Sequence, residues 1–406
     1  MQIRLKQKVD KYLGYGLIAT LWPFTRFLGI VLRRDHSMRQ PPRRILFIKL
    51  LGLGSLIVAS EAITAMRKRF PEAKLILLTD ANIAAGIAPF GVFDEIYQAD
   101  TDRMVPTFLM MIRLFGKMWT WRRLWVVDLE VYSKLTTVLA LLTLARNRFG
   151  FYLGPVSFRK YFNTHNIPFD QSAFLGRNYE AMAKELTGCR RLEPVGTSPR
   201  ADEWNKPYIV VNNTCSGLAL VRRLPDTTMA EICQWVLENT DYRLALLGSP
   251  NDRAANDLFI DDTPALGRQK ERIVNFAGST NGFEAYYDFL RESGAMLVTI
   301  DSGPLHIARR LGLPTVSVWG PTDPANYLPM RPEEKERHLF CYLGMHCSPC
   351  VHRHSRPPCG GDNVCMRHIP AATIIEKIRQ VLDHLSLSGR CEPSQRVEPG
   401  SPVLVR

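Results

Sequence analysis

Residues 300–324, IDSGPLHIARRLGLPTVSVWGPTDP, restrict what this chain can fold into. Residues 296–300 are a short apolar run of the kind a buried parallel strand needs. Asp301-Ser302-Gly303 forms a turn, and Pro304 suits the first helical position, where its missing N–H costs nothing. The predicted helix ends near Gly312, and 315–319 is a second strand closed by Gly320-Pro321-Thr322-Asp323-Pro324. Strand, turn, helix, strand, turn is the repeating unit of an open α/β sheet, whose ligands bind beyond the carboxyl ends of the strands. Asp301, Ser302, Gly303, His306, Gly320, Thr322 and Asp323 all fall at that edge, and free N–H groups at a helix start attract phosphate.

The same grammar recurs along the chain. Residues 45–50 read as a strand, followed by Gly52-Leu53-Gly54-Ser55 and a helix to residue 70. Further strands are predicted at 75–79 and 124–129, the latter running into Glu130, with a helix over 133–146. Residues 187–207 are rich in Pro, Gly and charge and read as a linker. A second unit opens with a strand at 208–212, then Asn213-Thr214-Cys215-Ser216-Gly217 and Arg222-Arg223-Leu224-Pro225. Strands at 244–247, ending in Gly248, and 273–277, with a helix over 283–292, lead back to the central stretch. The glycines after the first strand allow close backbone approach to a ligand, but the third glycine of a dinucleotide fingerprint is absent, which argues against a dehydrogenase.

The formal charge of +13 favours anionic partners. No nucleic-acid-reading motif is present, which leaves an anionic membrane surface or a phosphorylated substrate. The N-terminus supports both. Residues 12–32 are apolar, broken by Pro23 and Arg26, and basic residues flank both ends. Such a segment is too long for a signal peptide, and charge on both flanks disfavours a membrane span. It is expected to lie kinked in the cytoplasmic interface with Tyr12, Tyr15, Trp22 and Phe24 at headgroup depth; the alternative is a helix packed on the protein's own surface. Residues 105–121 are apolar nearly all round and read as a buried helix, although their Trp/Arg mixture also suits a membrane-facing surface. Cys347, Cys350, Cys359 and Cys365 form C-x2-C-x8-C-x5-C. Four thiolates at such spacing suit a tetrahedral structural zinc or iron, with His346, His352, His354 and His368 as spare ligands; free thiols are the competing reading.

DSGPLHIARRLGLP followed by WGPTDP resembles the signature of glycosyltransferase family 9, the bacterial heptosyltransferases. Residues 43–79 and 125–151 resemble that family's opening and middle segments, and the resemblance covers about 43–381. It implies an α/β chain of two Rossmann-like domains facing a central cleft, the GT-B arrangement. The expected division is a membrane-associating segment at 1–40, an acceptor domain at 41–190, a nucleotide-sugar domain at 205–386 and a disordered tail at 387–406. The resemblance further implies an inverting transfer of a heptose-like sugar from a nucleotide-sugar, ADP-heptose by family default, to a lipid-linked or lipopolysaccharide-type acceptor. It implies a peripheral place on the cytoplasmic face of the inner membrane and no cofactor for catalysis.

Inverting transfer needs a base for the acceptor proton and positive groups for the departing phosphate. The family holds donor phosphates with small or hydroxyl residues and a following basic residue, which here implies Thr214, Ser216 and Arg223; the strand-end turns add Gly54, Ser55, Gly248, Ser302, Gly303, Gly320, Thr322 and Asp323 as donor-site candidates, with Asp301 and His306 placed to orient the donor sugar or phosphate. The family's base is an Asp after glycine in the first loop. Here that position is Ser55, so the expected base is Glu130, which ends a strand at the cleft. A non-catalytic protein that binds a nucleotide-sugar or glycolipid is the alternative, with Ser55 as its support.

Overall fold

Apolar runs flanked by glycine and charge become the central strands. The computed structural model describes residues 3–31, 36–99, 104–189, 206–215, 220–279, 282–329, 332–351 and 357–388. In chain order the first half contains α1 (Ile3–Val31), β1 (Arg44–Lys49), α2 (Leu53–Arg69), β2 (Lys74–Asp80), α3 (Ala81–Ile87), β3 (Glu95–Ala99), α4 (Met104–Thr120), β4 (Leu124–Asp128), α5 (Lys134–Leu142), β5 (Asn147–Tyr152), β6 (His165–Pro168) and α6 (Leu175–Thr187). The second half contains β7 (Tyr208–Asn212), α7 (Asp226–Asn239), β8 (Arg243–Leu246), α8 (Arg253–Asp261), α9 (Pro264–Gly267), β9 (Ile273–Asn275), α10 (Phe283–Ser293), β10 (Gly294–Ile300), α11 (Gly303–Arg310), β11 (Thr315–Trp319), α12 (Pro324–Tyr327), β12 (His338–Tyr342), α13 (Val364–Arg367) and α14 (Ala371–Ser388).

The first sheet has strand order β3-β2-β1-β4-β5-β6 and the second β12-β11-β10-β7-β8-β9. Every pairing is parallel. Renumbered within each half, both orders are 3-2-1-4-5-6, the doubly wound arrangement whose crevice lies where the order reverses. The two central strands of each sheet, β1/β4 and β7/β10, therefore aim their carboxyl ends at the ligand region. The predicted linker at 187–207 and tail at 387–406 begin inside the last turns of α6 and α14, and their remainder at 190–205 and 389–406 lies outside the described residues.

The expected strands at 208–212 and 315–319 match the observed limits. Edge strands β3, β6 and β12 went unread because their side chains are mostly half-buried, which breaks the apolar pattern that marks a central strand. The helix expected over 133–146 stops at Leu142, with Leu144 in a left-handed conformation (φ 53°) just beyond it.

Helix α4 differs from the buried helix its apolarity predicted. Leu114 and Met118 face the sheet, while Leu109, Ile112 and Trp119 are exposed. Helix α1 packs on α5, as the second reading of this segment held, through Ile18 against Val138, Leu141 and Phe162. Asp10 fixes its register by accepting from Ser133 Oγ (2.7 Å) and the Leu135 N–H (2.9 Å) at the start of α5. Among the described residues no helix is long and apolar enough to cross a membrane.

One buried apolar cluster crosses between the halves, joining Leu56 and Ile57 of α2 to Ile307 and Ala308 of α11. Tyr287 on α10 donates to the carbonyl of Gly86 on α3 and stacks edge-on against Phe90 at 4.9 Å. The closest approach is at Gly54, where an added Cβ would lie 2.4 Å from Cδ2 of His306. Glycine is required there for proximity rather than for backbone shape.

Gly54→Ala is accordingly expected to destabilise the protein by ~1–3 kcal/mol through overpacking against a buried ring. His306→Ala should relieve it, giving a coupling term in a double-mutant cycle; additive effects would refute the contact. Burial drives the His306 pKa down from 6.5 to about 4. The unfolded chain takes up this proton as pH falls below about 6.5 while the folded chain resists until about 4. Wild type should therefore lose about 3 kcal/mol relative to His306→Gln between those pH values. A stability difference that stays flat over that window, measured by denaturant titration, would refute this.

Candidate active site

On the first wall, β1 and β4 end side by side and deliver Lys49 and Glu130. Glu130 is buried, and both of its carboxylate oxygens are engaged. Oε1 accepts from the N–H groups of Leu50 (2.9 Å) and Leu51 (2.8 Å), and Oε2 accepts from Lys49 Nζ (3.1 Å). Burial opposes the charge on Lys49, but Glu130 beside it outweighs this and holds the lysine pKa up. Glu130 thus reaches the strand edge where the sequence put it, but as the anchor of the β1–α2 loop rather than as a free carboxylate. Its neighbour Asp128 is fully buried and binds Arg159 at 2.7 Å and Thr136 Oγ1 at 3.0 Å.

Ser55 donates to the Gly52 carbonyl (2.7 Å) and hydrogen-bonds to Tyr179, which lies within electrostatic reach of both Lys49 and Glu130. No carboxylate occupies this first-loop position. Tyr132, just past Glu130, is exposed, and its hydroxyl accepts from Gln171 (2.7 Å).

On the second wall the Asp301 carboxylate accepts from Thr322 Oγ1 (2.6 Å) and pairs with Arg222 (3.3 Å). Arg222 also donates to the Asp301 carbonyl at 3.3 Å. Ser302 precedes α11 but does not cap it; its hydroxyl receives Asn212 Nδ2 (3.1 Å). Asn212 Oδ1 accepts from Thr214 Oγ1 (2.8 Å), so the ends of β7 and β10 are tied together. Added bulk at Gly303 would meet nothing within 4 Å, leaving room above the α11 start. Tyr327 bridges the walls: burial pushes its hydroxyl pKa up to about 12, and it feels Asp301, Tyr179 and Tyr132.

Several residues assigned to the ligand by sequence also have structural contacts of their own. Arg223 points to the surface, pairing loosely with Asp226 at 3.5 Å, and its neighbour Arg222 takes the inward place. Asp323 caps α12 through the Ala325 N–H (2.9 Å). A Cβ at Gly248 would lie 2.7 Å from that of Asp252, so this glycine serves packing. One at Gly320 would lie 2.8 Å from Cys365 Sγ. Ser216 lies outside the described residues. Lys49, Tyr179 and Tyr327 were missed; a lysine closing an apolar strand was the one legible signal among them.

The cysteine loops brace this wall from behind. Ser348 Oγ donates to the Gly320 carbonyl, and the N–H groups of Cys350 and Val351 both reach the Pro321 carbonyl at 3.0 Å. Asn363 Nδ2 donates to the Arg223 carbonyl at 2.7 Å. Burial raises the Cys365 thiol to about 11, with further upward pressure from Cys350, Cys347 and Cys359. The four sulfurs are thus electrostatic neighbours. Among the described residues, however, no group of three or more Cys, His, Asp or Glu side chains has metal-holding geometry. His352 and His354 lie outside the described residues.

Residues 169–359 match the model for glycosyltransferase family 9 (heptosyltransferase). The lipooligosaccharide heptosyltransferase 2 of Haemophilus influenzae is 33% identical over 103 residues, 25% of this chain and 28% of that protein, so the chain aligns with little more than a quarter of this curated relative. Among solved structures, the E. coli ADP-heptose LPS heptosyltransferase II superposes with a TM-score of 0.63 at 17% identity, covering 84% of this chain and 99% of that one. A family 9 glycosyltransferase from Veillonella parvula gives 0.64 at 16% identity over 86% and 100%. E. coli heptosyltransferase WaaC with ADP gives 0.61 at 15% over 83% and 99%. Residues 169–359 thus resemble glycosyltransferase family 9, and over more than four-fifths of its length the chain shares the two-domain fold of these solved structures.

Proposed function

We propose that the protein is an inverting glycosyltransferase that moves a heptose-like sugar from a nucleotide diphosphate donor, ADP-heptose in the first instance, to a lipid-linked acceptor of the lipopolysaccharide type. The observation that carries this reading is the Arg222–Asp301–Thr322 constellation at the carboxyl ends of the second sheet, opposite Lys49, Glu130 and Tyr179. Arg222 and the α11 start supply positive potential for a diphosphate, and Asp301 can orient donor hydroxyls. WaaC and heptosyltransferase II, whose folds this chain shares, carry ADP and ADP-heptose in their names. The site of action is taken as the cytoplasmic face of the inner membrane, where the donor is made available to a lipid-borne acceptor.

The base is assigned to Glu130, working through release of Lys49. The second reading, a non-catalytic protein that binds a nucleotide-sugar, rests on Ser55 having no carboxylate and on Glu130 being fully hydrogen-bonded. The cysteine cluster is proposed to hold one structural zinc or iron through Cys347, Cys350, Cys359 and Cys365. The support is the C-x2-C-x8-C-x5-C spacing and the thiolate donor chemistry; among the described residues the four side chains are not assembled into a metal-holding group.

Purified protein supplied with nucleotide-sugars should turn over ADP-heptose; binding with no turnover of any donor would favour the second reading. Arg222→Ala should weaken ADP affinity by about 10- to 100-fold, as loss of a charge-assisted hydrogen bond does, with Arg223→Ala far milder. Equal effects would return the phosphate contact to Arg223. Glu130→Gln should lower transfer by ~10²–10⁴-fold at unchanged donor affinity if Glu130 is the base. Retained transfer would leave it only the loop-holding duty. Elemental analysis should find about one zinc or iron per chain, and a chelator should lower the melting temperature. Metal-free protein of unchanged stability would refute the site.

A further inference from the structure

Helix α5 lies between α1 and α4 on one side of the first sheet. Its Val138 and Leu141 pack with Ile18 of α1, and its Ala140 packs with Leu114 and Met118 of α4. Trp119 Nε1 donates to the Leu142 carbonyl at 2.9 Å, which ties the end of α4 to the end of α5. The three helices are thus joined in series through α5. Their outer surface exposes Tyr12, Leu13, Tyr15, Trp22, Phe24 and Phe27 from α1. Leu142 and Leu144 follow from the end of α5, and Leu109, Ile112 and Trp119 from α4.

Apolar exposure on this scale on an ordinary surface is unfavourable and marks a docking site. The charge identifies the occupant. Within α1, α4 and α5 the sole acidic residue is Asp10, and its carboxylate is turned inward to hold the start of α5. Cations accompany the aromatic rings: Lys134 lies 4.4 Å over Tyr15, Lys160 5.0 Å over Tyr161, and Lys11 5.5 Å over Tyr12. Exposed Arg113 and Lys117 add charge along α4. Aromatic and aliphatic side chains framed by lysine and arginine, with no exposed acid, match the interface of an anionic bilayer.

We infer that α1, α5 and α4 together form one membrane-binding face, with α4 as a second point of insertion beside the N-terminal helix. The inference rests on the proposed lipid-borne acceptor and adds which surface meets the bilayer. It also orients the cleft. The α1–α5 junction at Asp10 and Ser133 lies three residues beyond Glu130, and exposed Tyr132 stands between them, next to the cleft-bridging Tyr327. An acceptor anchored under this face has a short path to the donor site.

The test uses the full chain and co-sedimentation with phosphatidylcholine vesicles, with and without about a third phosphatidylglycerol. Wild type should bind the anionic vesicles and release most of its binding at high salt. The exposed-face variants Leu109→Gln/Ile112→Gln/Trp119→Gln on α4 and Phe24→Gln/Phe27→Gln on α1 should each weaken partitioning by about tenfold or more, with unchanged circular dichroism and melting temperature. An α4 variant that binds like wild type, while the α1 variant does not, overturns the composite face and leaves the membrane reading standing. No binding by wild type removes the membrane reading itself. A dimer in light scattering that the α4 variant converts to monomer, with no vesicle binding, would overturn the inference in favour of a self-interface.

Discussion

The two carboxylates at the end of β4 hold the first wall of the cleft together. Asp128 reaches outward along the sheet to Arg159 and Thr136, joining β4 to α5 and to the turn at 154–161. Glu130 reaches the other way, to Lys49 and the N–H groups of Leu50 and Leu51, and so shapes the loop that brings Gly54 against His306. Buried charges of this kind are tolerated only when each is paired and its remaining lone pairs are satisfied. Removing one partner of either pair would leave its counterpart buried without its counter-charge.

The second wall solves a similar problem with neutral groups. Asn212, Thr214, Thr299 and Ser302 link the ends of β7 and β10 by side-chain hydrogen bonds, leaving Arg222 and Asp301 as the charged pair at the surface of the cleft. The turn that contributes Thr322 is braced from behind by the cysteine loops through Gly320 and Pro321. A metal held there would act on donor binding by stiffening that turn, at a distance from the chemistry.

Helix α1 shows how a long, largely apolar segment divides its surface when only part of it is buried. A period of 3.6 gives it two faces. One is fixed to α5 by Ile18, by the close approach of Gly14 to Lys134 and by Asp10; the other is left outside. The side turned to α5 is the packed helix of the second sequence reading.

The sequence alone determined the two parallel sheets, the strand-end turns and the family signature. These follow from local pattern: apolar runs of strand length, Gly and Pro at turns, and the residue order of 300–324. It did not reveal the edge strands β3, β6 and β12, whose half-buried side chains lack that pattern, nor the interior strand β5. Nor did it tell Arg222 from Arg223. The choice depends on contacts far along the chain, since Asn363 holds the Arg223 carbonyl and Asn213 holds both the N–H and the carbonyl of Leu224. The sequence placed Glu130 at the right strand end, but three donors from a loop 80 residues earlier decide what its oxygens are doing. Side-chain direction and hydrogen-bond occupancy are set by packing between distant segments, so only the tertiary structure could decide them.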